Sequence, residues 1–171
     1  MATAAISRDE QRFIRGGVED DIRQDGRSRM EYRDFTIETG VLAQTNGSAM
    51  LHLGASRVLV AVKLEIGQPD PNTPNWGKAK CSVDWCRATP PSTEQRIYRE
   101  TLAASLSRRQ ERALQPSAGE NSQGGIDLAS LCIIPRLQCW IVYVDVLVLG
   151  DGGNLADAIS LGIRAALRNT K

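Results

Sequence analysis

The sequence predicts an α+β domain in which helices pack on a mostly antiparallel sheet, in the order β-meander, helix, strand, helix. Three observations carry that expectation. Residues 35–66 alternate apolar and polar and are broken by short Gly/Ser/Asn turns, the pattern of consecutive antiparallel strands. Residues 139–149 form a strand-length run that is apolar almost throughout. From residue 155 the period changes, with Leu155, Ala158, Ile159, Gly162, Ile163 and Ala166 falling on one face of a helix.

Ser7 to Gly16 predicts a short helix, with Ser7 as N-cap, Glu10 completing a Ser-x-x-Glu capping box and Gly16-Gly17 stopping it. Residues 19–29 crowd both signs of charge around Asp25-Gly26 and predict a loop. Residues 1–30 are therefore expected to be a helix and charged loop, and residues 31–171 the domain proper. Phe35, Ile37 and Thr39 alternate in one strand, and Ala49, Leu51 and Leu53 in the next, across a turn at residues 45–48. A second turn at residues 54–56 leads into a strand from Val58 to Ile66, so these strands form an antiparallel meander. The three prolines between Gly67 and Lys78 predict a loop, and Ala79 to Arg87 a further strand.

Pro90-Pro91-Ser92 introduces a helix with a second capping box, Ser92-x-x-Gln95. Its apolar stripe is narrow, Tyr98, Leu102 and Leu106, flanked by Arg96, Arg99, Arg108, Arg109 and Arg112. Residues 115–125 read as a Gly/Ser/Asn-rich loop. In the last strand Trp140, Val142, Val144, Val146 and Val148 share one face, and Ile141, Tyr143, Leu147 and Leu149 the other, interrupted only by Asp145. A strand apolar on both sides is expected inside a covered sheet. Asn154 occupies the N-cap position of the final helix, and Arg164 and Arg168 lie toward its negative end.

A chain of 171 residues is one domain, or part of a larger one, and can bury a core. Its formal net charge of +1 conceals 17 Arg against 4 Lys. Arginine is suited to bidentate phosphate or carboxylate contacts, so the bias fits RNA or a charged partner as well as a solvated surface. The four cysteines, at 81, 86, 132 and 139, contain no C-x-x-C pair, and His52 is the only histidine. This argues against a Cys/His zinc site and removes most His-based triads, and the thiols read as small buried groups in a reducing compartment. No apolar run reaches the ~18 residues of a membrane span, and the first residues are too polar for a secretory signal. The expected setting is cytosolic or nuclear, with no membrane partner.

The glycine turn Gly150-Asp151-Gly152-Gly153 precedes a helix, where backbone N–H groups can hold a phosphate. It matches neither the P-loop nor the Rossmann spacing. Asp151 and Asp157 bracket the helix start, and Asn154, Leu155 and Ala156 supply neither cation nor hydroxyl. Gly152, Gly153, Asn154 and Leu155 are thus expected to be at most a degenerate phosphate site, a structural turn whose nearby carboxylates repel anions. Asp145 could be a buried acid, but no second carboxylate is placed beside it, and a strand Asp paired with an Arg or pointing into a groove is the plainer reading. No serine lies in a G-x-S-x-G elbow. The residues predict no catalytic centre, no metal site and no cofactor. Arg108, Arg109 and Arg112 are the candidate RNA-binding residues, with solubility and helix-dipole compensation as the competing explanation. Arg23, Arg27 and Arg29 form a second cluster that Glu19, Asp20, Asp21 and Asp25 can neutralise.

Several of these stretches resemble the RNase PH family. They are Arg23-x-Asp-Gly-Arg27 with Tyr32-Arg33, Gly47-Ser48-Ala49 with Leu53-Gly54 and the Val58 to Lys63 strand. Further along they are Leu131-Cys132-Ile133-x-Pro135-Arg136, Cys139-Trp140, Tyr143 to Leu147, and Gly152-Gly153-Asn154-Leu155-x-Asp157-Ala158-Ile159-Ser160. Within the family the likeness is to the RNase PH-like subunits of the eukaryotic RNA exosome. The resemblance implies an RNase PH-like domain in a six-membered ring built from heterodimers, with cap subunits, an associated nuclease and single-stranded RNA threading the pore. It implies rRNA processing and a nuclear, nucleolar and cytoplasmic setting. Catalytic relatives carry a hydroxyl residue and an Arg after the Gly-Gly turn, where this chain has Asn154 and Leu155, so phosphorolysis is expected to be lost. Relatives also have an Arg-x-x-Arg pair near the end of the arginine-rich helix, which favours Arg109 and Arg112 as RNA contacts. Family members continue beyond this length into a second strand-and-helix half that holds the catalytic Asp residues of active relatives. Without it, one face of the domain is expected to be uncovered.

Overall fold

A computed structural model describes residues 7–23, 25–28, 30–86, 93–114 and 125–171, with the side chains of 93–95 excepted. The proposed Ser92 capping box, Arg29, Arg87 and most of the loop expected at 115–125 lie outside the described residues. The chain divides into two compact units, Met1–Asp34 and Phe35–Lys171.

In the first unit, α1 (Arg8–Glu19) begins as its sequence dictates, the Glu10 N–H donating to Ser7 Oγ at 3.1 Å. Gly16 and Gly17 do not stop it. A glycine costs a helix only about 1 kcal/mol relative to alanine, and here the end is made a few residues later. Asp21 takes a left-handed conformation (φ 56°), while the Ile22 N–H reaches the Gly17 carbonyl at 2.8 Å and the Asp21 N–H the Val18 carbonyl at 3.4 Å. This is a Schellman closure with Asp at the position glycine usually takes. Gly17 serves the closure differently: a Cβ there would lie 2.7 Å from the Ile22 carbonyl oxygen. Beyond it the charged loop folds on itself, Arg27 binding Asp25 at 2.7 Å and the Arg23 N–H donating to the Arg27 carbonyl at 2.9 Å. The Arg27 hydrogen bond holds the Asp25 carboxyl below its ordinary range.

The second unit is a single sheet with two helices. Strands β1 (Phe35–Thr39), β2 (Gly47–Leu53) and β3 (Ser56–Gly67) form the expected meander. The strand β4 (Lys78–Trp85) does not continue it. After helix α2 (Thr93–Leu114) and the short strand β5 (Cys132–Ile134), strand β6 (Gln138–Gly150) enters between β3 and β4, antiparallel to β3 and parallel to β4. The order is β1-β2-β3-β6-β4, with β5 pairing β6 at its start. The sheet is therefore mostly antiparallel with one parallel pair, made by the β4-α2-β6 crossover.

One side of the sheet is the core. Ala49, Leu51 and Leu53 of β2, Val58, Val60 and Val62 of β3, Val142, Val144, Val146 and Val148 of β6, and Ala79, Cys81 and Val83 of β4 are all buried. Helix α3 (Leu155–Asn169) covers β2 and β3, and α2 covers β4. The face of α3 read from its spacing is the one that is buried: Leu155, Ala158, Ile159, Gly162, Ile163 and Ala166. Gly162 permits the close approach, since a Cβ there would stand 2.9 Å from Val60 Cγ2.

Two further expectations need correction. β6 is not covered on both sides: Asp145 and Leu149 are exposed, and Ile141, Tyr143 and Leu147 only half-buried. Its apolar second face misleads because an uncovered sheet face need not be polar in composition. The stripe expected on α2 also fails at Tyr98, which is 63% exposed, whereas Leu106, Gln110 and Leu114 are buried. The helix buries a partly polar seam because β4 is the edge of the sheet. Its outward Cys81 and Val83 N–H groups donate to Glu111 Oε1 at 3.2 Å and Ser107 Oγ at 3.0 Å. Helix side chains thus satisfy the donors of an edge that would otherwise be open.

Candidate functional site

The glycine turn between β6 and α3 is built against the β2–β3 turn. Gly152 has no side chain because there is no room for one: a Cβ would lie 2.6 Å from Ala55 Cβ and 3.0 Å from Ser56 N. The fully buried Ser56 then laces the two turns together. Its Oγ accepts the Gly152 N–H at 2.9 Å and donates to the Gly153 carbonyl at 2.8 Å. The Gly153 N–H donates to Asp151 Oδ1 at 3.0 Å. The Gly152 and Gly153 amides are both directed to oxygens of this chain, one of them an exposed carboxylate.

Asn154 follows with φ 58° and ψ 37°, a left-handed residue. It does occupy the N-cap position, but its side chain makes no capping hydrogen bond. Capping through a side chain requires extended backbone at that residue, and Asn154 instead uses its tolerance of positive φ to turn the chain into α3. Leu155, 7% exposed, is packed into the core. Asp157 lies in the first turn, where its charge suits the positive end of the helix dipole. Gly152, Gly153, Asn154 and Leu155 are therefore brought together in one turn, with Gly153 and Asn154 exposed and Leu155 buried.

Arg108, Arg109 and Arg112 are all exposed on the C-terminal half of α2. No ion pair among the described residues engages any of them, in contrast to Arg96, which lies 3.7 Å from Glu100. Arg99 is also engaged, its guanidinium 5.3 Å from the ring centre of Trp85. Sequence reasoning missed what anchors this half of the helix. Gln110, 4% exposed, donates from Nε2 to Ser160 Oγ at 2.9 Å and to the Ala156 carbonyl at 3.3 Å. A glutamine among arginines reads as surface, and only its stepping by four with Leu106 and Leu114 signals the buried seam. The anchor holds α2 against the first turns of α3, so the segment carrying the three arginines is fixed near the glycine turn.

Among the described residues no arginine pairs with Asp145. Its Oδ1 accepts a 2.7 Å hydrogen bond from Ser82 Oγ across the parallel β4–β6 pair, on the exposed side of the sheet. Among the described residues no group of three or more His, Cys, Asp or Glu is placed to hold a metal ion, and no helix is long and apolar enough to cross a membrane.

Residues 31–171 match the family described as 3′ exoribonuclease family, domain 1. The exosome complex component Rrp42 of Methanocella arvoryzae is 40% identical over 149 residues, which is 87% of this chain and 55% of that protein. The protein of the same name from Methanopyrus kandleri is 38% identical over 87% of this chain and 53% of its own. Among solved structures, an archaeal exosome core superposes with a TM-score of 0.75 at 32% identity, covering 94% of this chain and 57% of the other. The Archaeoglobus fulgidus exosome with RNA bound to the active site gives 0.75 at 31% identity, covering 94% and 60%. The chain spans about half the length of the curated relatives it matches. With the sheet order, the two helices on one face and the match from residue 31 onward, the chain belongs to the RNase PH (3′ exoribonuclease) family.

Proposed function

We propose that this chain is a non-catalytic structural and RNA-path subunit of an exosome-type ring, supporting 3′-to-5′ RNA processing and degradation. The observation that carries the loss of catalysis is the pair of amides at Gly152 and Gly153, directed to Ser56 and Asp151. Phosphorolysis needs orthophosphate held beside the RNA end, and stabilisation of that charge is the main task of such a site. A turn whose two glycine amides are taken by Ser56 and Asp151, with a carboxylate at its mouth and Leu155 in the core, supplies little of it.

The positive part of the reading rests on Arg108, Arg109 and Arg112. Exposed, outside any ion pair among the described residues and fixed by the Gln110 anchor, they form a compact cationic surface suited to a phosphodiester backbone. The likeness to exosome components supports partners of the same class: RNase PH-like subunits paired as heterodimers in a six-membered ring, cap subunits and an associated nuclease. A nuclear, nucleolar and cytoplasmic location and a part in rRNA processing belong to the same proposal.

The test is phosphorolysis by the purified chain, alone and with its ring partners, on end-labelled single-stranded RNA with orthophosphate. The expected result is no nucleoside diphosphate release attributable to this subunit. Release that survives purification and disappears on Asp145→Asn would establish the active-exoribonuclease reading instead.

A further inference from the structure

We propose that Cys132 and Cys139 are a redox pair that closes to a disulfide across strands β5 and β6. The two residues are direct partners in the antiparallel pairing of these strands, so their side chains leave the sheet on the same side. The Trp140 N–H donates to the Leu131 carbonyl at 2.8 Å, the hydrogen bond that flanks the pair. That places Cys132 and Cys139 at a non-hydrogen-bonded position, where facing Cα atoms are about 4.5 Å apart and side chains approach most closely. A disulfide accepts Cα separations of roughly 4.4–6.8 Å. Both thiols are free.

Neither of the other cysteines is so placed. Cys81 is buried on the core side of β4, and Cys86 follows that strand with no cysteine opposite it. The two members of the pair differ in access. Cys132 is half-buried and Cys139 fully buried. Burial raises the Cys139 thiol above its ordinary range, and nearby Lys78 works against that rise. Cys132 is thus the sulfur that an external oxidant reaches, and Cys139 the one that resolves the adduct.

With glutathione disulfide as oxidant the chemistry balances. The Cys132 thiolate attacks one sulfur of the oxidant, breaking its S–S bond, forming a Cys132–glutathione mixed disulfide and releasing one glutathione thiolate. Cys139 gives up its proton and attacks the Cys132 sulfur, releasing the second glutathione. Two protein thiols are oxidised, one glutathione disulfide is reduced to two thiols, and the two protons end on those thiols. The bond ties down β5, only three residues long, at the base of a hairpin that exposes Ile133, Ile134 and Leu137.

The sequence supplies a convenient readout, because Arg136 lies between the two cysteines. The native chain is treated with glutathione disulfide, free thiols are blocked, and the protein is digested with trypsin without reduction. The expected product is the peptide 113–136 joined to 137–164, separated by a reductant, absent in Cys132→Ser and retained in Cys86→Ser. The oxidised chain should also melt at a higher temperature than the reduced one. Full alkylation of Cys132 and Cys139 after oxidation, or a Cys132–glutathione adduct that persists without passing to Cys139, would overturn the proposal. Cys132→Ser changes a half-buried residue and keeps the Cys139 packing, so a folded control is at hand.

Discussion

Ser56 and Gly152 stand ninety-six positions apart in the chain and share a 2.9 Å hydrogen bond. The same hydroxyl gives its proton to the Gly153 carbonyl, so one buried side chain ties the glycine turn to the β2–β3 turn. The fold at this point turns its donors on itself.

Replacing Ser56 by Ala removes both bonds from a fully buried position. The expected loss is about 1–3 kcal/mol, the range for withdrawing a buried polar partner. Urea denaturation followed by circular dichroism measures it, and a change below ~0.5 kcal/mol would mean that Ser56 does not hold the turn.

Two glycines in helices should respond with opposite signs. Gly162→Ala places a methyl 2.9 Å from Val60 Cγ2, inside a core with no loose side chain to yield. Overpacking of this kind costs about 1–3 kcal/mol, against a helix-propensity gain of about 1 kcal/mol, so the variant should lose stability. Gly16→Ala meets nothing within 4 Å in the second half of α1 and keeps only the gain. Helical content and thermal melting of the two variants would reveal the contrast.

Arg109→Ala combined with Arg112→Ala should weaken single-stranded RNA binding and flatten its salt dependence. Removing one arginine–phosphate interaction reduces the log–log slope by about 0.7. Fluorescence anisotropy at several salt concentrations gives that slope. Arg96→Ala, removing an arginine already beside Glu100, should leave it unchanged, and equal effects would return all these residues to a solvated surface.

Cys81 sets an alkaline limit. Burial, with smaller contributions from Glu111 and Asp145, pushes its thiol up from 9.0 to about 12. The unfolded chain ionises this thiol from about pH 9.0 upward while the folded chain keeps it protonated until about pH 12, so the contribution to stability is fully present below pH 9.0 and is lost as the pH rises through that window. Stability should therefore fall as pH rises through the window from 9.0 to about 12, and Cys81→Ala should flatten the decline. In the native chain Cys81 should resist alkylation at mildly alkaline pH and react once the chain is unfolded.

Periodicity carries much of this structure. The six buried positions of α3 follow from spacing alone, because a helix on a sheet must bury one stripe, and the meander follows from alternation and short turns. The position of β4 does not, since no local signal in Lys78–Trp85 says that β6 will enter between it and β3. Gln110 and Ser56 escape sequence reasoning for a related reason: each is polar, and each is buried only through partners dozens of residues away. At the glycine turn, residue types are enough to argue against an anion, but not to identify Ser56 as the group that fills it. Asn154 stands where its position predicts and works by another mechanism, because its left-handed backbone carries the turn in place of a side-chain cap.

The most direct test is to follow the Gly152 and Gly153 amide resonances while orthophosphate is added to the folded chain. Amides committed to Ser56 and Asp151 should not move beyond the shifts caused by a matched chloride titration. A saturable displacement of both, accompanied by phosphate-dependent shortening of RNA, would contradict the loss of phosphate binding on which the proposed role depends.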